Sequence, residues 1–304
     1  MRARIKQSLV PFVQQSVAPF VQRHRIIQAS LRRASVAGLV PAGVWGRMPY
    51  PEEFTSVTPD GAIYRYRPIA GDEIALRLYW RGTKEWETAT LSLFSALVRQ
   101  ARVFVDVGAY TGIYSLIAGA ENPRVQMVAF EPVPLVSEAL SVNIELNGFT
   151  SRSRVVVAAA FSDEGERTIA VRGDQPTSTS SLMWLDDPSL PDRQQVRTCT
   201  VDSVVSSQAV DVIKIDAEGA ETEVLAGSTE TIERMRPSII VECLSRDALS
   251  RVHEFLRPRR YSVYHVSDSG LRKVEEPADT VGVLTNFLAV PREDISGLSL
   301  HFAV

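Results

Sequence analysis

Residues 103–119, VFVDVGAYTGIYSLIAG, run from an apolar β-branched stretch into an acid and two glycines, then into a helical pattern. The stretch predicts a buried strand over 102–108, a tight turn through Asp106, Gly108 and Gly112, and a helix from 112 to 120. One glycine would suffice for the turn. A second predicts close approach of the backbone to a ligand at the strand's carboxyl end.

Working outward, strands and helices alternate. Strands are predicted over 125–132, 154–165, 211–221, 237–244, 261–266 and 286–291, the last two around a polar turn. Helices are predicted over 83–100 and 135–149 and through AETEVLAGSTETIERM. Ahead of them, AIYRYRP (62–68) and IALRLYW (74–80) alternate like the arms of a small antiparallel hairpin turning at Gly71-Asp72. Strands separated by helices imply parallel pairing with right-handed crossovers. The expected fold is α/β, a doubly wound, mostly parallel sheet. Residues 172–198, rich in Pro, Ser, Thr and Asp, read as a long loop. Its Leu182, Met183 and Trp184 suit either closure over a substrate or pinning of the loop.

The chain has 304 residues, 45% hydrophobic and 23% charged, with two cysteines and no apolar run long enough for a membrane span. Two cysteines make no disulfide framework, so a reducing, cytoplasmic setting is expected. The net charge of −3 hides an asymmetry: residues 1–50 hold eight Arg/Lys and no acid, whereas the rest hold 25 basic and 36 acidic residues. An acidic body is not a nucleic-acid binder by charge. Residues 1–50 form a basic amphipathic arm, an N-terminal helical extension that repeats Pro-Phe-Val-Gln at 11–14 and 19–22. Packing on the body or a partner subunit is one reading of the arm. Contact with an anionic membrane surface and a targeting presequence are others. Residues 51–304 are expected to be the catalytic domain.

Five predicted strands end in acids: Asp106, Glu131, Asp163, Asp216 and Glu242. Such a cluster is unfavourable on structural grounds alone, and predicts a ligand with hydroxyls or a positive centre. A dinucleotide would need G-x-G-x-x-G, whereas Gly108-x-x-x-Gly112 is one glycine short and Tyr110-Thr111 would crowd a diphosphate. S-adenosyl-L-methionine fits better. It offers a ribose diol to Glu131, an adenine edge to Ser162 or Asp163, and a sulfonium to the carboxylates.

FVDVGAYTGIYSL, AFEPVP, NIELNG, AAFSDEG, TVDSV, IKIDAEGAETEVLAG and RPSIIVE together resemble the successive motifs of FkbM-type methyltransferases, over roughly residues 83–290. The resemblance implies a class I, Rossmann-like fold using S-adenosylmethionine, commonly for O-methylation of sugars, glycans or natural products. It implies cofactor contact for Asp106, Gly108, Ala109, Tyr110, Thr111, Gly112, Glu131, Pro132, Ser162 and Asp163. EWETATLSLFSAL has its place in the pattern and adds Glu87. The catalytic acid or base is drawn from Asp216, Glu218 and Glu242, with His265 a further possibility and Glu218 or Glu221 alternatively capping a helix. No metal ligand set is claimed. A nicotinamide-dependent oxidoreductase and a non-catalytic protein that keeps the fold are the competing readings.

Overall fold

The computed structural model describes residues 18–170, 193–206, 208–280 and 285–294. Leu182, Met183 and Trp184 lie outside these. Helices α1 (Ala18–Arg23), α2 (Arg25–Val36) and α3 (Ala42–Trp45) precede a hairpin of β1 (Phe54–Val57) and β2 (Ile63–Tyr66). Then come α4 (Glu73–Arg81), α5 (Thr88–Val98), β3 (Val103–Val107), α6 (Ile113–Glu121), β4 (Gln126–Phe130), α7 (Pro134–Leu146) and β5 (Ser153–Val156). Strands β6 (Ala159–Ala160), β7 (Gly165–Ala170) and β8 (Arg193–Cys199) follow, then α8 (Val201–Val205) and β9 (Val210–Ile215). The chain continues through α9 (Glu221–Ala226), α10 (Thr229–Met235), β10 (Ser238–Glu242) and α11 (Arg246–Leu256) to β11 (Tyr261–Ser267), β12 (Gly270–Val274) and β13 (Asn286–Pro291).

Eight strands form the central sheet in the order β12-β11-β13-β10-β9-β3-β4-β5. The five from β10 to β5 are parallel, and β11, β12 and β13 pair antiparallel at the other edge. The chain winds from β3 outward through β4 to β5, then returns to build β9 and β10 on the other side of β3. The strand order therefore switches between β3 and β9, where open α/β sheets bind their ligands.

Alternate residues face opposite layers. Phe104, Met127, Val212 and Ile240 pack with Leu91 and Phe94 of α5 and Leu116 of α6. Val105, Val128, Ile213 and Ile239 pack with Leu225 of α9, Ile232 of α10 and Val252 of α11. With both faces covered, the central strands read as near-continuous apolar runs, which is why 102–108 was legible as buried.

Several expectations are corrected. Residues 74–80 are helical, because Asp72 accepts from Ala75 N at 2.9 Å as an N-cap and Ile74, Ala75, Leu78 and Tyr79 bury one helical face. The arm that pairs with 62–68 is Phe54–Val57. The helix expected over 83–100 starts at Thr88. The strand expected over 154–165 breaks after Val156, and its second part joins a separate three-stranded sheet, β6-β8-β7. Residues 193–198 of the expected loop are strand. The helix after 220 divides at Ser228, whose hydroxyl donates back to Val224 O at 2.7 Å. Between 261–266 and 286–291 lies an extra strand, β12, so the last two are not joined by a simple turn.

Val21, Trp45 and Met48 are buried in the same cluster as Phe54 and Tyr66, so the described part of the arm shares the body's core. Arg32 fastens it: Nε and Nη2 donate to Tyr79 O and Thr55 O, each at 2.8 Å, with the guanidinium 4.6 Å from the Tyr79 ring centroid. Among the described residues no helix is long and apolar enough to cross a membrane.

Candidate active site

The carboxyl ends of β3, β4 and β9 are sewn together. Asp216 N donates to Val107 O at 3.0 Å, and Gly108 N and Ala109 N both donate to Phe130 O, at 3.1 and 3.0 Å. A cleft opens above this seam. Asp106, Gly108, Ala109, Tyr110, Glu131 and Pro132 line one part of it. Trp86, Tyr114, Lys214, Asp216 and Glu218 line another.

Gly108 has φ +73°, and a Cβ there would stand 1.9 Å from Asp216 O. The glycine thus answers first to the approach of β9. Gly112, at φ +99°, begins α6 and faces Leu140. Thr111 is fully buried and turned from the cleft, bonded to the Tyr66 hydroxyl, while its carbonyl accepts from Asn143 Nδ2 at 2.9 Å.

Asp106 holds the first turn of α6, accepting from Ser115 N at 3.0 Å and Ser115 Oγ at 2.7 Å. Burial pushes its carboxyl up to about 6, against the pull of Ser115. Glu131 accepts from Tyr110 N at 3.0 Å through Oε2 and from Val133 N at 2.9 Å through Oε1. Each oxygen keeps one further lone pair, and the two N–H groups fix the plane of the carboxylate. Burial raises Glu131 to about 7, opposed by those backbone donors. Tyr110 sits at φ 50°, and Glu87 and Glu218 at 45° and 48°. Left-handed backbone at three non-glycine residues around one site stores strain where ligands act.

The second part of the cleft is acidic. Oxygens of Glu87, Asp216 and Glu242 lie within 4.8 Å of one another. Glu87 accepts from the Tyr114 hydroxyl and is hydrogen-bonded by Asn286, which stands opposite Glu242 in the strand register. Lys214, 1% exposed, puts Nζ 3.3 Å from Asp216 Oδ2 and 5.1 Å from the centre of the Tyr114 ring. Burial alone would lower Lys214, but Asp216, Glu87 and Glu242 hold it above the ordinary lysine value. Burial and then the neighbouring Asp216 raise Glu242 to about 9 and Glu218 to about 7. Glu221 accepts from Gly219 N at 2.8 Å, bracing the turn that leads into the following helix.

Four of the five strand-end acids do meet. Asp163 does not: it follows β6, lies exposed, and forms an ion pair with Arg167 at 2.8 Å. Ser162 likewise lies off the cleft lining. His265 is buried in β11 with its ring 5.2 Å from that of Phe287, away from the cleft. The positive centre expected from a ligand is in part internal, because Lys214 faces the acids. Sequence reasoning passed over Lys214, Tyr114 and Trp86. A lysine between isoleucines in a strand buried on both faces was the available signal for the first.

A sheet of this winding, with a glycine turn and acids gathered at its switch point, defines a class I methyltransferase fold. Residues 106–263 match the model of the methyltransferase FkbM domain. The chain belongs to the FkbM methyltransferase family. The 31-O-demethyl-FK506 methyltransferase FkbM of Streptomyces tacrolimicus is 25% identical over 202 residues, 56% of this chain and 76% of that protein. Methyltransferase sdnD of Sordaria araneosa is 24% identical over 168 residues, 45% and 64% of the two chains. A solved methyltransferase FkbM from Methylobacillus flagellatus KT shares 18% identity and a TM-score of 0.43, covering 62% of this chain and 43% of that one. This chain therefore spans less than half of that solved chain. Family membership sets aside the nicotinamide-dependent oxidoreductase.

Proposed function

We propose that the protein transfers the methyl group of S-adenosylmethionine to a hydroxyl of a sugar, glycan or secondary metabolite. The observation that carries this reading is Glu131. Its carboxylate stands beside the glycine turn at the end of β4, oriented by Tyr110 N and Val133 N with acceptor capacity left for two adjacent hydroxyls. That pair of acceptor oxygens fits a ribose diol. The backbone of Gly108, Ala109 and Tyr110 would hold the rest of the cofactor; Ser162 and Asp163 are not among the residues lining the cleft, which gives no support to their contact with adenine. The name of the Streptomyces relative places its methyl on an oxygen, which favours a hydroxyl acceptor.

When bound, S-adenosylmethionine supplies an electrophilic methyl group on a sulfonium. The chain's own task is to align an acceptor oxygen and receive its proton. Asp216 is the carboxylate on the cleft wall at the switch point, with Glu218 beside it and Glu242 behind. Calorimetric titration with S-adenosylmethionine, its demethylated product and NAD tests the reading. Binding of NAD alone would overturn it, and cofactor binding without turnover on any hydroxyl acceptor would favour a non-catalytic protein.

A further inference from the structure

Three carboxyl groups packed within 4.8 Å cannot all stay ionised without cations or shared protons. Oxygens of Glu242 and Asp216 approach within 4.8 Å, and two carboxyl groups sharing one site favour holding a single proton between them. The remaining negative charge faces a single buried ammonium. Lys214 and Val212 share the face of β9 that packs on α5 and α6, so the lysine stem is held among apolar residues and its tip reaches Asp216, not solvent. The other titratable groups around the pair are Glu87 ahead of α5, Tyr114 on α6, Glu218 beyond β9, Glu221 at the start of α9 and Cys243 just after β10; Asp106 stands at the end of β3.

We propose that Lys214 is a positioning residue: its ammonium fixes the charge of the proton-sharing Asp216–Glu242 pair on Asp216, the member that lines the cleft, and leaves the proton on Glu242. The inference rests on the methyl-transfer reading above. During transfer the acceptor hydroxyl gives its proton to Asp216, the oxygen pair forms the new C–O bond, and the electrons of the broken C–S bond stay on sulfur. Asp216 and Glu242 then hold two protons, one of which returns to solvent before the next turnover.

The test needs no acceptor. Full-length protein labelled with ¹³C at the Asp and Glu carboxyls is titrated by NMR, with Glu242→Gln assigning the alkaline step of the pair. Lys214→Met removes the ammonium at similar length; because it leaves Asp216 without its partner, circular dichroism checks the fold of the variant, and Lys214→Arg keeps the charge. The alkaline step should move upward by at least about one pH unit, a tenfold change in proton affinity, and Lys214→Arg should restore much of it. An unmoved step in Lys214→Met would overturn the proposal. So would a downward shift of the wild-type step on adding Mg²⁺ alone, because the counter-ion would then be a divalent cation. Calorimetry of S-adenosylmethionine on the same samples separates the two claims. Unchanged cofactor affinity beside a shifted titration supports the role of Lys214, and failure of cofactor binding in the wild type would sink the methyl-transfer reading alone. With an acceptor in hand, Lys214→Met should lower kcat at neutral pH while the KM for cofactor holds.

Discussion

A side chain on Gly108 would place its first carbon 1.9 Å from the carbonyl oxygen of Asp216. The glycine turn after β3 and the acid after β9 are thus one structural unit, closed by the hydrogen bond from Asp216 N to Val107 O. Gly108→Ala must move β9 or the turn, and also strains the backbone at φ +73°. Loss of more than about 3 kcal/mol is expected in denaturant unfolding. Gly148→Ala, at φ +71° with open space around it, should cost only about 1 kcal/mol. Equal costs at the two sites would show that the close approach to Asp216 is not what demands glycine.

The parallel half of the sheet was legible because its strands are buried on both faces and end in turn residues, as at Asp106-Val107-Gly108 and Glu131-Pro132. The antiparallel edge was not. Insertion of β13 between β10 and β11 depends on pairings such as Ile239 with Ala289, far apart in the chain, which no local pattern encodes. Residues 74–80 misled because Ile74, Leu76, Leu78 and Trp80 fit a period of two as well as a helix, and only the Asp72 cap decides. At the site, acids at strand ends were readable one by one. Which of them meet was not, since Asp163 follows a strand that leaves the main sheet for another.

Arg32 should act as the fastener of the arm. Its two hydrogen bonds to carbonyls and its place over the Tyr79 ring are removed together in Arg32→Ala. A loss of about 1–3 kcal/mol is expected for bonds to a charged, half-buried group, together with earlier proteolysis between residues 23 and 50. Unaltered proteolysis would mean that Val21, Trp45 and Met48 hold the arm without it.

Buried acids give the stability a pH dependence of definite sign. Asp106, Glu131, Glu218 and Glu242 are raised to about 6, 7, 7 and 9, so the folded state binds more protons than the unfolded state above pH 4.5. Their contribution is full below the unfolded value and is lost as pH rises through each folded value. Denaturant midpoints should therefore fall between about pH 4.5 and 9, and Glu131→Gln should flatten the part below pH 7. A midpoint that climbs over that range would contradict the assigned burial of these carboxyls.

Glu131 and Asp216 should fail in different ways. On the proposed reading Glu131→Ala removes the acceptor for two ribose hydroxyls, an interaction that would be made in the ground state and the transition state alike. Cofactor binding should weaken by about 1.5–3 kcal/mol, and Tyr110 N and Val133 N lose the partner that orders the turn. Asp216→Asn preserves shape at the point where Gly108 and Lys214 converge, but removes the charge and the basicity. Turnover should fall roughly 10²–10⁴-fold with cofactor affinity little changed. Calorimetry and steady-state rates on the two variants check both halves. If Asp216→Asn abolished cofactor binding while Glu131→Ala left it intact, the roles of the two strand ends would be exchanged. Near-normal turnover in Asp216→Asn would instead move the base to Glu218, which lines the same wall.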